Sequence, residues 1–218
     1  MEVDEMATAR TYGDPCAAAR ALDLLGERWA LMIVRELLFG PKRYSDLQAG
    51  LPGASPTVLS QRLRDLEAGG VIQRRRMGAP IRAWVYELTR WGHELEPILV
   101  RLGRWGSRAP MTQAAGTLGA DSLMLAVKSH LDPARLGDLD ATFRMELGED
   151  VFTLRVAAGE LTIQRGEPPQ WDAEVRADTA VLKALVIDGA SVAEFGDRVE
   201  IGGDGDAFQR LLEALATG

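Results

Sequence analysis

Thr57, Ser60, Gln61 and Arg64 place two hydroxyls, an amide and a guanidinium at positions i, i+3, i+4 and i+7. In a helix that spacing sets them on a single stripe, while Leu59, Leu63 and Leu66 fall on another face. Gln and Arg side chains can pair bidentately with adenine and guanine edges in a major groove, and the hydroxyls can reach phosphates or bases. One face would pack and the other would present hydrogen-bonding groups. The chain also marks the ends of such a helix. Ser55 is a good N-cap, Pro56 fits the first helical position, and Gly69-Gly70 supplies the stop.

A second cationic element follows at once. Val71 and Ile72 begin a strand, Gln73-Arg74-Arg75-Arg76 brings three consecutive arginines, and Met77-Gly78-Ala79-Pro80 supplies a turn. Ile81 to Leu88 returns through the β-rich Trp84-Val85-Tyr86, with Arg82 at its start. Such a run is either a solvated hairpin face or a wing that lies along a nucleic-acid backbone or enters a minor groove. Its place directly after a capped amphipathic helix with a polar outer edge favours the wing.

The resemblance to a known family becomes specific on three stretches. They are Cys16 to Trp29, Ile33 to Leu47 with its Phe-Gly-Pro-Lys-Arg-Tyr-Ser-Asp-Leu ending, and Leu-Pro-Gly-Ala-Ser followed by Leu-Ser-Gln-Arg-Leu-Arg-Asp-Leu-Glu and Tyr-Glu-Leu-Thr-Arg-Trp-Gly. From about residue 14 to 107 the chain resembles the HxlR-type regulators, relatives of the MarR group. The resemblance implies a homodimeric transcriptional regulator whose paired recognition helices read double-stranded operator DNA, with half-sites about one helical turn apart. The expected DNA contacts are Arg43, Ser55, Thr57, Ser60, Gln61, Arg62, Arg64, Arg74, Arg75, Arg76 and Arg82.

As a total, the formal net charge of −7 opposes that reading, yet it is unevenly distributed. Residues 1–110 carry 16 Lys/Arg against 13 Asp/Glu, and residues 111–218 carry 9 against 19. Without the acidic start at Glu2, Asp4 and Glu5 the first half has 16 basic against 10 acidic groups, a footprint suited to phosphate. The acidic second half should sit away from a duplex. With 46% hydrophobic residues the chain can bury sizeable cores, and no apolar run approaches a membrane span. The N-terminus lacks a cationic-then-apolar leader, so a cytoplasmic location without a membrane partner is expected.

Beyond Thr89, the residues Leu95, Ile98, Leu99, Leu102 and Trp105 recur at helical spacing. They either pack within their own domain or, as the family resemblance implies, form the interface with a second copy. Pro97 either bends this helix or begins a new one. Pro, Gly, Ala and Thr accumulate from about Ser107 to Ala120, which places a boundary between a domain at 10–108 and another at 119–218.

The second half changes character. A helix is expected from Asp121 to Leu131, then alternating strands over 141–147, 151–156, 160–165 and 173–177. A helix near 178–187, a short strand at 199–201 and a last helix over 204–216 complete an α+β layout: a mainly antiparallel sheet covered by helices, with one sheet face polar. Its order and spacing resemble the sterol carrier protein type-2-like fold, which implies an apolar tunnel for a small lipid-like ligand. Candidate wall residues are Phe143, Met145, Leu147, Phe152, Leu154, Leu161, Ile163, Leu182 and Leu185, which serve equally well as an ordinary filled core.

Cys16, the single cysteine, is either a small packing residue or, at a helix N-terminus near Arg20, a thiol of lowered pKa open to oxidation. One cysteine forms no intrachain disulfide and no Cys-rich zinc site. With two histidines and no catalytic or metal-binding spacing, no enzyme, cofactor or metal is expected, and Asp204 or Asp206 reads as a helix cap. The expectation is therefore a winged helix-turn-helix regulator modulated by an apolar ligand. The alternative is a lipid or small-molecule carrier whose first half mainly dimerises.

Overall fold

A computed structural model describes residues 11–78, 82–109 and 118–215. The chain divides into two compact units after Leu95.

The first unit comprises α1 (Ala17–Leu25), α2 (Ala30–Leu37), α3 (Tyr44–Gly50), α4 (Pro56–Ala68), β1 (Ile72–Arg76), β2 (Trp84–Leu88) and the short α5 (Arg90–His93). Its core is built from one stripe of each helix: Ile33, Val34 and Leu37 of α2, Leu47 of α3, and Leu59, Leu63 and Leu66 of α4 are each at most 1% exposed. The marked ends of α4 form as the sequence indicates. Ser55 Oγ accepts the Val58 N–H at 3.3 Å, Pro56 occupies the first turn and Gly69 closes the helix. β1 and β2 pair antiparallel, and Lys42 adds a bridge to Tyr86, so the hairpin is fastened to the segment entering α3. Thr89 Oγ1 accepts the Gly92 N–H at 3.0 Å and donates to Gly70 O at 2.8 Å, closing the hairpin onto the end of α4. A Cβ at Gly92 would collide with the Val71 carbonyl, which accounts for the glycine in Thr-Arg-Trp-Gly.

Beneath α3 lies a buried ionic cluster. Glu36, 3% exposed, accepts from Lys42 Nζ at 2.6 Å and Arg35 Nη2 at 2.7 Å. Such a group is tolerated in a core because it is paired and hydrogen-bonded.

The second unit holds α6 (Glu96–Gly106), α7 (Ala120–His130), β3 (Ala141–Leu147), β4 (Asp150–Ala157), β5 (Glu160–Arg165), β6 (Ala173–Ala177), α8 (Thr179–Val186), β7 (Val199–Gly203) and α9 (Gly205–Leu215). The sheet runs β5-β4-β3-β6-β7, parallel between β3 and β6 and antiparallel elsewhere. Period-two alternation puts Phe143, Met145, Leu154 and Val175 on an inner face, all at most 1% exposed, facing a core shared with Leu123, Leu182 and Phe208. The outer face is polar, and Arg144 there is bound by Glu146, Glu167 and Glu174 at 2.6 to 2.8 Å.

Of the two readings of Pro97, the new helix holds: α5 ends at His93, and α6 begins at Glu96 with Pro97 in its first turn. The grouping of that helix differs from the expected boundary. The compact units divide at Leu95, so α6 groups with the second unit rather than with the domain expected over 10–108. The reason is local. Arg104 donates to the carbonyls of Ser129 at 2.8 Å and Leu131 at 2.9 Å, capping the C-terminal end of α7, and Gly103 lies directly against Ser129. Of the expected boundary segment, residues 110–117 lie outside the described residues, as do the N-terminal arm and Ala79 to Ile81 of the turn.

Candidate nucleic-acid interface

With its leucines anchored, α4 must turn its other side outward. Thr57 and Arg64 are exposed, and Ser60 and Gln61 are half-buried beside them. The four nevertheless have different commitments. Ser60 Oγ donates to Tyr44 Oη at 3.3 Å, and Tyr44 donates to the Pro56 carbonyl at 3.1 Å, so Ser60 helps lock α3 against the head of α4. Gln61 Nε2 donates to Asp65 Oδ1 at 2.7 Å, while Gln61 Oε1 accepts from Arg64 Nη2 at 2.7 Å. Arg62 lies off the stripe, bound to Asp65 at 2.5 Å and Glu27 at 3.5 Å. Ser55 is taken up by its cap, and Arg43 is exposed at the start of α3.

The three wing arginines also separate. Arg75 places Nε and Nη2 on Glu87 at 2.8 and 2.7 Å, and Gln73 donates to the same carboxylate at 2.8 Å. Arg75, followed by partial burial in the opposite sense and then Gln73, leaves the Glu87 carboxyl below its ordinary pKa. The Arg74 guanidinium stacks 4.8 Å from the Trp84 ring centroid and 5.9 Å from that of Tyr86. Arg76 and Arg82 are exposed at the two described ends of the hairpin. Sequence reasoning missed Tyr44, Asp65, Glu87 and Trp84. The i,i+4 spacing of Gln61 and Asp65 was the available signal for one of these links.

The other expected sites are distributed as follows. All nine candidate wall residues are buried on the inner sheet face or under it, between 0% and 8% exposed. None of them lines a cleft of about 330 Å³ in the second unit, which is bordered instead by Asp138, Asp140, Asp172, Asp204, Asp206 and Arg210. Asp204 caps α9 by accepting the Ala207 N–H at 2.9 Å, as expected for that glycine-rich turn. Of the proposed interface residues, Ile98, Leu102 and Trp105 are 55%, 42% and 66% exposed, whereas Leu99 is 2% exposed and belongs to the core. Leu99 therefore leaves the interface set, and Leu95 is half-buried. Among the described residues no group of three His, Cys, Asp or Glu side chains could hold a metal ion, and no helix is long and apolar enough to cross a membrane.

An α3-turn-α4 pair whose second helix projects a polar edge, followed by a basic two-stranded hairpin, defines a winged helix-turn-helix DNA-binding module. Residues 24–114 match the model of the HxlR-like helix-turn-helix family. The chain is 42% identical over 89 residues to an uncharacterized HTH-type transcriptional regulator, YvaP, of Bacillus subtilis (strain 168), spanning 40% of this chain and 82% of that relative. It is 38% identical over 86 residues to a second such regulator from the same organism, YtcD, over 39% of this chain and 68% of that one. Among solved structures, the reduced form of the transcriptional regulator YodB from B. subtilis aligns at 29% identity and a TM-score of 0.39, covering 42% of this chain and 92% of that chain. The chain belongs to the HxlR-like helix-turn-helix family of DNA-binding transcription regulators.

Cys16 is exposed at the N-terminal end of α1. Backbone N–H groups of Ala18 and then Ala19 stabilise its thiolate and lower the pKa; Arg20 is not among the causes. The pH midpoint of its alkylation should therefore lie below that of an unstructured cysteine peptide and return to the peptide value in urea. Equal midpoints in the folded chain and the peptide would show that the helix start does not activate the thiol.

Proposed function

We propose that this protein is a homodimeric, sequence-specific repressor or activator that reads operator DNA with α4 and holds the backbone with its wing. The carrying observation is the outward edge of α4, with Thr57 and Arg64 exposed and Gln61 half-buried between them, on a helix whose opposite face is sealed in the core. In this reading Thr57, Gln61 and Arg64 face base edges, while Arg43, Arg74, Arg76 and Arg82 meet phosphates. Ser55 and Ser60 act through the cap and the Tyr44 contact, and Arg62 and Arg75 join the phosphate set only by leaving Asp65 and Glu87. The carrier alternative is weaker, because the family match falls on the half it treats as a mere scaffold.

The DNA reading is tested with duplexes selected from a random pool. Arg64→Ala should cost about tenfold or more in discrimination at one base position. Arg76→Ala should weaken all sequences alike and reduce the slope of log affinity against log salt by about 0.9. Unchanged preference in the first variant and an unchanged slope in the second would remove α4 and the wing from the interface.

The second copy is proposed to seat on the stripe Ile98, Leu102 and Trp105, large apolar side chains at i, i+4 and i+7 that this chain leaves exposed. Replacing Leu102 with Glu should shift the full chain from dimer to monomer in light scattering while leaving its far-ultraviolet dichroism intact. A dimer that persists would place the interface elsewhere.

A small apolar ligand is proposed to insert between the inner sheet face and α7, α8 and α9, in a sterol-carrier-like second domain. The buried apolar lining that includes Phe143, Met145, Leu154, Leu182 and Leu185 supports this. An oxidant or electrophile would act separately, through Cys16. Native mass spectrometry of the purified full chain should detect an apolar adduct released by organic extraction; a bare polypeptide mass, with no stabilisation by any of a panel of fatty acids and sterols, would leave a filled core.

A further inference from the structure

The stripe on α4 does not present its side chains independently. Gln61 has both ends of its amide engaged: Nε2 on Asp65 Oδ1 and Oε1 on Arg64 Nη2, each at 2.7 Å. A carboxylate accepts and cannot donate, so Asp65 selects one of the two amide orientations and sends Oε1 toward Arg64. Asp65 is itself held. Its second oxygen takes Arg62 Nη1 at 2.5 Å, and Arg62 reaches Glu27 Oε2, ahead of α2, at 3.5 Å. A relay thus runs Glu27, Arg62, Asp65, Gln61, Arg64, from the scaffold to the exposed edge.

This relay has a consequence for base reading. Pairing with adenine requires a glutamine to offer its oxygen and nitrogen together to the base. Gln61 keeps one N–H and one oxygen lone pair free, but Asp65 and Arg64 hold its amide plane, so presenting its edge squarely to adenine competes with those two bonds. Arg64 gives a single N–H to Gln61 and keeps the rest of its guanidinium for the two acceptors of guanine.

Resting on the reading of α4 as the recognition helix, we propose that Asp65 is a positioning residue for sequence selection: through Gln61 it sets Arg64 to read guanine and withholds Gln61 from adenine. The relay makes the pair act as one guanine-reading unit rather than as two independent readers.

The test is selection from random duplexes with the full-length protein, comparing wild type, Asp65→Ala, Asp65→Asn and Arg64→Ala. The wild type should show guanine at the position that Arg64→Ala relaxes. Asp65→Ala should lose roughly tenfold of that preference in favour of adenine, as Gln61 is released. Asp65→Asn keeps an acceptor for Gln61 and should retain most of it. A structural role alone would lower melting temperature and affinity for all sequences together, leaving base preference in place; that result in Asp65→Ala overturns the proposal, as does adenine selected by the wild type at this position. If Arg64→Ala relaxes nothing, the recognition-helix reading fails instead, so the two failures are separable.

Discussion

The insertion of Leu59, Leu63 and Leu66 into the first unit, each at most 1% exposed, is the constraint on which the proposed DNA-reading surface depends. A helix with one face sealed has no rotational freedom left, so the polar edge projects in a fixed direction. The surrounding frame reinforces it. Glu36, bound by Lys42 and Arg35, ties α2 to the segment that bridges Tyr86 of the wing. The same carboxylate explains Gly50, where any Cβ would collide with it. A lone carboxylate at that depth would be strongly destabilising, so α2, the end of α3 and the wing are coupled through a group that tolerates no loose partner.

Charge in the wing is sorted by strand register. Arg74 lies opposite Tyr86 and Arg76 opposite Trp84, whereas Gln73 and Arg75 lie opposite Glu87 and Val85. Side chains on one strand alternate between faces. One side of the hairpin therefore carries Arg74 and Arg76 with aromatic support, and the other carries Arg75 neutralised by Glu87. The consecutive arginines in the sequence look like one block of positive charge, yet the pleat divides them, and only part of that charge is offered to a polyanion.

What was legible in the sequence was what depends on near neighbours. The cap at Ser55 and Pro56, the leucine face of α4, the strand alternation over 141–177 and the cap at Asp204 are local signals, and each took its expected form. The arrangement of partners across the fold was not legible. Asp121 was expected on an ordinary amphipathic helix, but it is 4% exposed and takes both its oxygens to Arg165 at 2.7 Å, with Arg165 stacked 4.5 Å from the Phe152 ring centroid. Arg75 reads as a phosphate ligand because nothing in its own segment names Glu87 as a closer partner, whereas for Arg62 the i,i+3 carboxylate of Asp65 was a local signal and only Glu27 was hidden. The contacts that group the helix from Glu96 with the second unit were not legible for the same reason, since Ser129 and Leu131 lie far along the chain.

The helix from Glu96 carries both the stripe proposed for the second copy and the contacts that hold α7. α7 is pinned at both ends: Asp121 joins its first turn to β5 through Arg165, and Arg104 of α6 caps its last. α6 thus carries two commitments, Gly103 and Arg104 toward α7 and the stripe of Ile98, Leu102 and Trp105 left exposed. On the proposed reading, a ligand that shifts α7 relative to the sheet moves the surface on which the second copy rests. Reversing a two-state equilibrium from 1:99 to 99:1 takes about 5.5 kcal/mol of differential binding. At about 25 cal/mol per Å² of apolar surface, that corresponds to burying on the order of 200 Å² more in one state than in the other. An apolar molecule the size of a fatty acid or sterol has that much surface to bury, and a small polar metabolite does not, so the energetics favour the ligand class suggested by the apolar inner face of the sheet.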